Sequence, residues 1–233
     1  MDYILGGYYL VEGTERQPWF TLGLLPERFW SISSCICTQY PNLAFLSWSS
    51  DARECEAIRT KLGLSSDQYG ELVAHVDRLF DEGIFGWPEV WTDVEAARVF
   101  RRHYLEHLEH IKLLGIATPA QYYQELLDGL KSTPPGGVVS LYANLQRQEG
   151  LPPEARVLGF EILGREAGGS FHSFVCNGLE QEYLAQLGIQ LNDHGLIDTL
   201  DDAVRASDFT NLDSTGAEPI GWTPWLVFEV SFA

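Results

Sequence analysis

The apolar positions near the N-terminus follow strand patterns. Residues 4–11 (ILGGYYLV), 28–37 (RFWSISSCIC) and 43–48 (LAFLSW) are rich in β-branched and aromatic side chains, and QYPN at 39–42 supplies a turn between the last two runs. We therefore expect the chain to begin with β-structure that includes an antiparallel pair.

Helical spacing, with apolar residues three and four positions apart, follows these strands. A capping box of Ser65 and Gln68 marks one helix N-terminus, and Thr92 with Glu95 marks another. From the second box, one apolar stripe predicts a single long helix that ends near Gly115. Helices are expected over residues 51–63, 65–83, 93–115, 118–130 and 140–150, and the stripe of the long helix consists of Phe100, Tyr104, Leu108 and Ile111.

Strand patterns return in the last third of the chain. Residues 156–166 and 170–176 flank Ala-Gly-Gly, which is typical of a hairpin, and residues 225–232 form a final apolar run. A helix is expected over residues 179–187, and a second one begins after a cap at Thr199.

The order of these elements predicts an α+β fold, with antiparallel strands near both ends of the chain and a helical middle section. STPPGG at residues 132–137 is the best candidate linker. It divides the chain into an N-terminal α+β part, residues 1–133, and a C-terminal α+β part, residues 134–233, with a strongly acidic surface.

The composition predicts a folded cytoplasmic protein. The 233 residues are 45% hydrophobic, which is enough for a sizeable core. No stretch reaches about 18 uninterrupted apolar residues, and the N-terminus lacks a signal-peptide pattern, so we expect no membrane association. The four scattered cysteines are expected to be free thiols in a reducing compartment.

The charge is strongly negative. The chain has 33 acidic and 15 basic residues, which gives a net charge of −18, and the segment from Glu166 to the C-terminus has eleven acids and one base, Arg205. Such a field repels nucleic acid and anionic lipid and attracts basic partners, so we expect no nucleic-acid partner. A surface that only maintains solubility is the alternative interpretation.

A possible metal motif lies in the predicted long helix. His103, Glu106 and His107 form the pattern H-x-x-E-H, in which two histidines bind zinc and the glutamate activates water, and His110 would share their face. However, the pattern needs a third ligand, and the surrounding charges are typical of a solvated helix face. A zinc-dependent hydrolase is therefore an alternative function.

Residues 168–183 (GGSFHSFVCNGLEQEY) contain the residue types that nucleophilic hydrolases use. If residues 170–176 form one strand, however, His172 and Cys176 lie about 13 Å apart at roughly 3.3 Å per residue. A catalytic dyad requires hydrogen-bond contact. The stretch is therefore interpreted as structural, a strand that turns into a helix, and we expect no catalytic residue.

Two motifs, GFEILG at residues 159–164 and FHSFVCN at residues 171–177, lie within residues 158–207. This segment, about one fifth of the chain, resembles a segment that recurs in acidic cytosolic proteins of bacteria. Those proteins include immunity proteins of toxin–immunity pairs, among them type VI secretion immunity proteins. The resemblance implies a non-enzymatic protein that binds a cognate toxin and blocks it, without a cofactor.

The charge agrees with this implication, because a nuclease toxin has a cationic groove that an acidic inhibitor can occupy and reach quickly. Two alternatives stay open: acids in the first turn of a helix also stabilise that helix, and Trp222 is either an exposed anchor or a core residue. An acidic adaptor without a toxin partner is a further alternative function. The candidate partner-binding residues are Asp193, Asp198, Asp201, Asp202, Asp208 and Trp222.

Overall fold

The computed structural model describes residues 2–16, 24–42, 52–87, 89–131, 139–166 and 170–232. Three predicted features lie outside these ranges: the strand at 43–48, the linker at 132–137 and the Ala-Gly-Gly turn at 167–169.

The described part of the chain combines β-strands with helices, which confirms the α+β class. The strands are β1 (Tyr3–Glu12), β2 (Thr14–Glu15), β3 (Arg28–Phe29), β4 (Thr38–Tyr40), β5 (Phe85–Gly86), β6 (Val90–Trp91), β7 (Ile111–Pro119), β8 (Arg156–Arg165), β9 (Phe171–Ser173) and β10 (Trp222–Val230). The α-helices are α1 (Ala52–Lys61), α2 (Ser66–Asp81), α3 (Val94–Tyr104), α4 (Tyr123–Lys131), α5 (Val139–Arg147), α6 (Glu180–Glu182) and α7 (Leu200–Thr210), with short 3₁₀ turns at Ala120–Tyr122, Phe174–Asn177 and Asp213–Thr215 and a π turn at Tyr183–Leu187.

A curled antiparallel sheet organises these elements. Its strand order is β5-β6-β1-β7-β10-β8-β9, and β4 also pairs with β1. Strand β10 pairs with β7 on one side and with β8 on the other, so both predicted parts of the chain contribute to one sheet. Strand β9 lies at the end of this order and forms one edge.

Core clusters cover both faces of the sheet. On β1, Leu10 belongs to the cluster that includes Phe100 of α3, whereas the next residue, Val11, belongs to the cluster that includes Leu145 of α5. Successive strand residues point to opposite faces. Strands β1 and β10 therefore have nearly continuous apolar sequences because both of their faces are buried.

Several helix predictions are confirmed. The side chain of Ser65 accepts a hydrogen bond from the backbone N–H of Gln68, whose side chain accepts one from the backbone N–H of Ser65. Thr199 caps α7 as expected. The cap of α3 is one residue later than predicted: the side chain of Asp93 accepts the terminal N–H groups, while the Thr92 hydroxyl donates to the carbonyl of Gly83.

The predicted long helix over residues 93–115 is wrong in its second half. Helix α3 ends at Tyr104, and residues 111–119 form β7, a central strand between β1 and β10. His110, in the turn between them, has a positive φ of 64°. The apolar spacing fitted a helix, but burial of these residues between two strands and two core layers favours the strand.

The predicted strand over residues 28–37 is also shorter than expected. Only β3 is a strand, and residues 30–37 form a loop before β4 pairs with β1. We call residues 31–37 the serine–cysteine loop, because it contains Ser31, Ser33, Cys35 and Cys37. No helix in the described part of the chain is long and apolar enough to cross a membrane.

Candidate functional site

A buried carboxylate on β8 fixes the serine–cysteine loop to the sheet. Glu161 is 1% exposed, and its Oε1 accepts a hydrogen bond from the Ser31 hydroxyl at 2.5 Å. Its Oε2 accepts one from the backbone N–H of Ile32 at 3.0 Å, and the Ser173 hydroxyl contacts the same carboxyl. Burial raises the pKa of the Glu161 carboxyl, although these hydrogen bonds oppose that shift. Glu161 therefore connects the loop, β8 and β9.

Ser33 carries the loop onward to the thiols. Its Oγ lies 3.2 Å from the Sγ of Cys176 and accepts a hydrogen bond from the backbone N–H of Cys35 at 3.3 Å. The backbone N–H of Ser33 in turn donates to Ser31 Oγ at 3.0 Å. The Ser33 hydroxyl thus contacts both Cys176 and the backbone of Cys35, two residues that are far apart in the sequence.

The prediction that His172 and Cys176 lie about 13 Å apart along one strand is wrong, because β9 ends at Ser173. The Ser173 side chain caps a 3₁₀ turn over Phe174–Asn177, and its backbone N–H donates to Cys176 Sγ at 3.3 Å. Gly178 follows in the left-handed region with φ 66°. This turn brings Cys176 back towards His172.

Three side chains meet where the loop and the turn come together. One ligand atom from each of Cys35, His172 and Cys176 lies within 4.8 Å of the other two. Cys35 is exposed, and the other two are partly buried. The Nε2 of His172 also lies 3.0 Å from Oε1 of Glu166. We call Cys35, His172 and Cys176 the cysteine–histidine cluster.

Without a bound cation, burial disfavours Cys176 as a thiolate nucleophile. Burial raises the pKa of Cys176 to about 11, against the lowering effect of its hydrogen bonds with Ser33 and Ser173. A nucleophilic cysteine requires an environment that stabilises the thiolate and so lowers the pKa of the thiol. The absence of a His172–Cys176 dyad therefore stays a prediction. It now rests on the raised pKa of Cys176 and no longer on the distance between the two residues.

Four of the five predicted acidic residues are exposed, two in the loop before α7 and two on α7 itself, and the fifth is partly buried. Asp193, Asp198, Asp201 and Asp208 are exposed. Asp202 has local partners: it accepts hydrogen bonds from the Thr199 hydroxyl at 3.1 Å and from Arg205 at 2.6 Å. Asp198 accepts one from Asn192 at 2.8 Å. Asp193, Asp201 and Asp208 are thus the acids best placed to contact another molecule.

Trp222 is not an exposed anchor. Its side chain is 2% exposed, and its indole N–H donates to the carbonyl of Glu218 at 2.8 Å. It begins β10 and packs in the core, where a large aromatic side chain contributes most to folding. Leu212, which follows α7, is instead 52% exposed and lies beside the acidic residues in sequence.

The H-x-x-E-H residues do not form the predicted arrangement. His103 lies on α3, but Glu106 and His107 follow its end, and all three side chains are exposed. Within the described ranges, the cysteine–histidine cluster is the group of three or more His, Cys, Asp or Glu side chains that is close enough to share an ion.

The cysteine–histidine cluster could not be predicted in full from the sequence. One signal was present but was not used: in S-F-V-C-N-G, a serine that caps a helical turn ends the strand before it. No local signal identifies Cys35, because its neighbours in the fold lie more than a hundred residues away in sequence.

Comparison with protein-family models, curated proteins and solved structures finds no match for this chain.

Proposed function

We propose that this chain is a non-enzymatic immunity-type protein that binds a basic protein toxin in the cytoplasm and neutralises it. The observation that carries the proposal is the charge of residues 193–218, which we call the acidic segment. It contains seven acidic residues and one basic residue, within a chain of net charge −18. A surface of this kind attracts and orients a cationic partner.

The arrangement of the charges supports a role in recognition. Asp201 and Asp208 are seven positions apart on α7, so they lie on the same side of that helix, and both are exposed. Arg205, which is the base between them, is paired with Asp202 and also donates to the carbonyl of Leu187. The outward carboxylates are therefore not neutralised by the only base of the segment.

An apolar side chain accompanies these carboxylates. Leu212 is 52% exposed and is followed by Asp213, which is also exposed. Protein interfaces commonly combine a desolvated apolar contact with a polar rim. Leu212 with the surrounding acids is consistent with such a contact, and it takes the place that Trp222 had in the prediction.

The same chemistry favours a nuclease as the toxin. A nuclease binds phosphates in a cationic groove, which carboxylates can occupy in their place. The resemblance of residues 158–207 to immunity proteins supports the same assignment. An acidic adaptor would share the charge, but it would not protect a cell from a toxin.

The proposed function predicts a salt-sensitive association rate. With the protein encoded by the neighbouring reading frame as the probe, the triple variant Asp193→Asn, Asp201→Asn, Asp208→Asn should lower the association rate constant on the order of tenfold at low salt. The wild-type rate should fall as salt rises, because salt screens exposed charges. Stopped-flow fluorescence measures both effects.

A matched triple variant is the control. Glu71→Gln, Asp77→Asn, Asp81→Asn also removes three exposed carboxylates, all on α2. It should change the rate much less if location matters. Equal effects of the two triples, or no association with the probe, would contradict the proposal. Binding without protection of cells that express the probe would favour an adaptor.

A further inference from the structure

The cysteine–histidine cluster has the donor atoms of a transition-metal site. Two thiol sulfurs and one imidazole nitrogen lie within 4.8 Å of one another. Ligand atoms around a tetrahedral zinc ion lie about 3.5 Å apart, so small side-chain rotations would bring these three atoms to one ion. Sulfur and nitrogen together select zinc over the hard cations calcium and magnesium, which prefer oxygen ligands.

We propose that Cys35, His172 and Cys176 bind one zinc ion that joins the serine–cysteine loop to the turn after β9. This inference does not depend on the toxin partner. A site with three protein ligands leaves one position for solvent or for a further ligand.

The contacts behind the ligands hold them in place. Cys176 Sγ lies 3.2 Å from Ser33 Oγ and 3.3 Å from the backbone nitrogen of Ser173. Ser33 also accepts the backbone N–H of Cys35. Hydrogen bonds of this type orient metal ligands and reduce the reorganisation that binding requires.

A carboxylate adjoins the histidine. Glu166 Oε1 lies 3.0 Å from Nε2 of His172. If Nδ1 binds the ion, Glu166 accepts the Nε2–H and fixes the ring, as carboxylates commonly do behind metal-binding histidines. This contact favours Nδ1 as the ligand atom, with Glu166 as the carboxylate that orients the ring.

The opposite ends of the cluster differ in accessibility. Cys35 is exposed, while His172 and Cys176 are partly buried. An ion can therefore reach the cluster from the side of the loop. Binding would also stabilise the folded chain, because the two segments that carry the ligands are far apart in the unfolded sequence.

The test is a cobalt titration of the reduced full chain, with Co²⁺ as the probe and a reductant that contains no thiol. We expect one Co²⁺ per chain, with the visible absorption of a tetrahedral site and a thiolate-to-cobalt band in the near ultraviolet. Zinc added in equal amount should remove these bands. A wild-type chain that develops no such bands would overturn the proposal. The same holds if the bands are absent because Cys35 and Cys176 form a disulfide despite the reductant.

Variants assign the ligands. Cys35→Ser, Cys176→Ser and His172→Gln should each lower the affinity by more than about 100-fold, and Glu166→Gln should lower it about 10- to 100-fold. Cys55→Ser and His107→Gln are the controls, since Cys55 lies on α1 and His107 belongs to the H-x-x-E-H motif. Neither control should change the affinity.

The exposed position of Cys35 keeps the test decisive if Cys176→Ser fails to fold. Circular dichroism first establishes that each variant retains its secondary structure. Loss of the cobalt bands in a folded Cys35→Ser chain supports the site. Full retention of the bands in that chain, or their loss in Cys55→Ser, would overturn it.

Discussion

Replacing Glu161 with alanine is expected to lower the free energy of unfolding by about 3–5 kcal/mol. The substitution leaves the Ser31 hydroxyl, the Ile32 N–H and the Ser173 hydroxyl without their acceptor in a buried setting. A buried donor that loses its partner costs about 1–3 kcal/mol, and these costs are not simply additive. Urea denaturation followed by fluorescence measures the change.

The same substitution should also release the serine–cysteine loop from β8. Hydrogen exchange at the Ile32 amide should accelerate more than exchange at the amides of α2, because the hydrogen bonds of Glu161 go to Ser31, Ile32 and Ser173. Glu161→Gln is the matched control: it keeps one acceptor and the same size, so it should cost less than alanine. An alanine variant as stable as the wild type would show that Glu161 does not anchor the loop.

The glutamine variant makes a separate prediction about pH. Burial raises the pKa of the Glu161 carboxyl in the folded state, so folding favours its protonated form. The stability that this preference contributes is complete below the unfolded pKa, about 4.3, and is lost as the pH rises through the folded pKa. The glutamine variant lacks this loss. Its stability relative to the wild type should therefore increase across that window in urea titrations, and a constant difference would contradict the assignment.

Gly115→Val is expected to lower the free energy of unfolding by about 3 kcal/mol or more. Gly115 lies opposite Tyr8 of β1 and Phe228 of β10 in the register of the sheet. A Cβ atom at this position would lie 2.1 Å from Cζ of Phe228, whose ring is fully buried. The central strand accepts the aromatic ring only because Gly115 has no side chain.

Two companion variants test this explanation by thermal or urea denaturation. Phe228→Ala should restore part of the stability in the Gly115→Val background. The double variant should lose at least about 1 kcal/mol less unfolding free energy than the two single variants lose together. Gly70→Ala, in α2, adds a Cβ that meets nothing within 4 Å. It should stabilise the chain by about 0.5–1 kcal/mol. Additive effects of Gly115→Val and Phe228→Ala would contradict a steric cause.

The features that local chemistry determines could be predicted from the sequence. The Ser65–Gln68 box, the Thr199 cap and the α+β class depend on neighbouring residues or on element patterns, and all three are confirmed. Five acidic residues between positions 193 and 208 were predicted to face a partner because of the strong negative charge of the C-terminal third. Four of the five are exposed.

The features that depend on distant contacts could not be predicted. Residues 111–119 are apolar enough for a helix or a strand, and only the pairing of β7 with β1 and β10 decides between them. The predicted distance from His172 to Cys176 was wrong because Ser173 ends the strand and caps the turn that follows. Cys35 joins the cluster through a loop whose position depends on Glu161, and no spacing rule relates residues 35 and 161.

The convergence of Cys35, His172 and Cys176 is tested most directly by X-ray absorption at the zinc edge of the zinc-loaded full chain. We predict two sulfur neighbours at about 2.3 Å and a nitrogen neighbour from imidazole at about 2.0–2.1 Å. A first shell made only of oxygen and nitrogen atoms would show that the thiols do not bind the ion, and it would contradict the site.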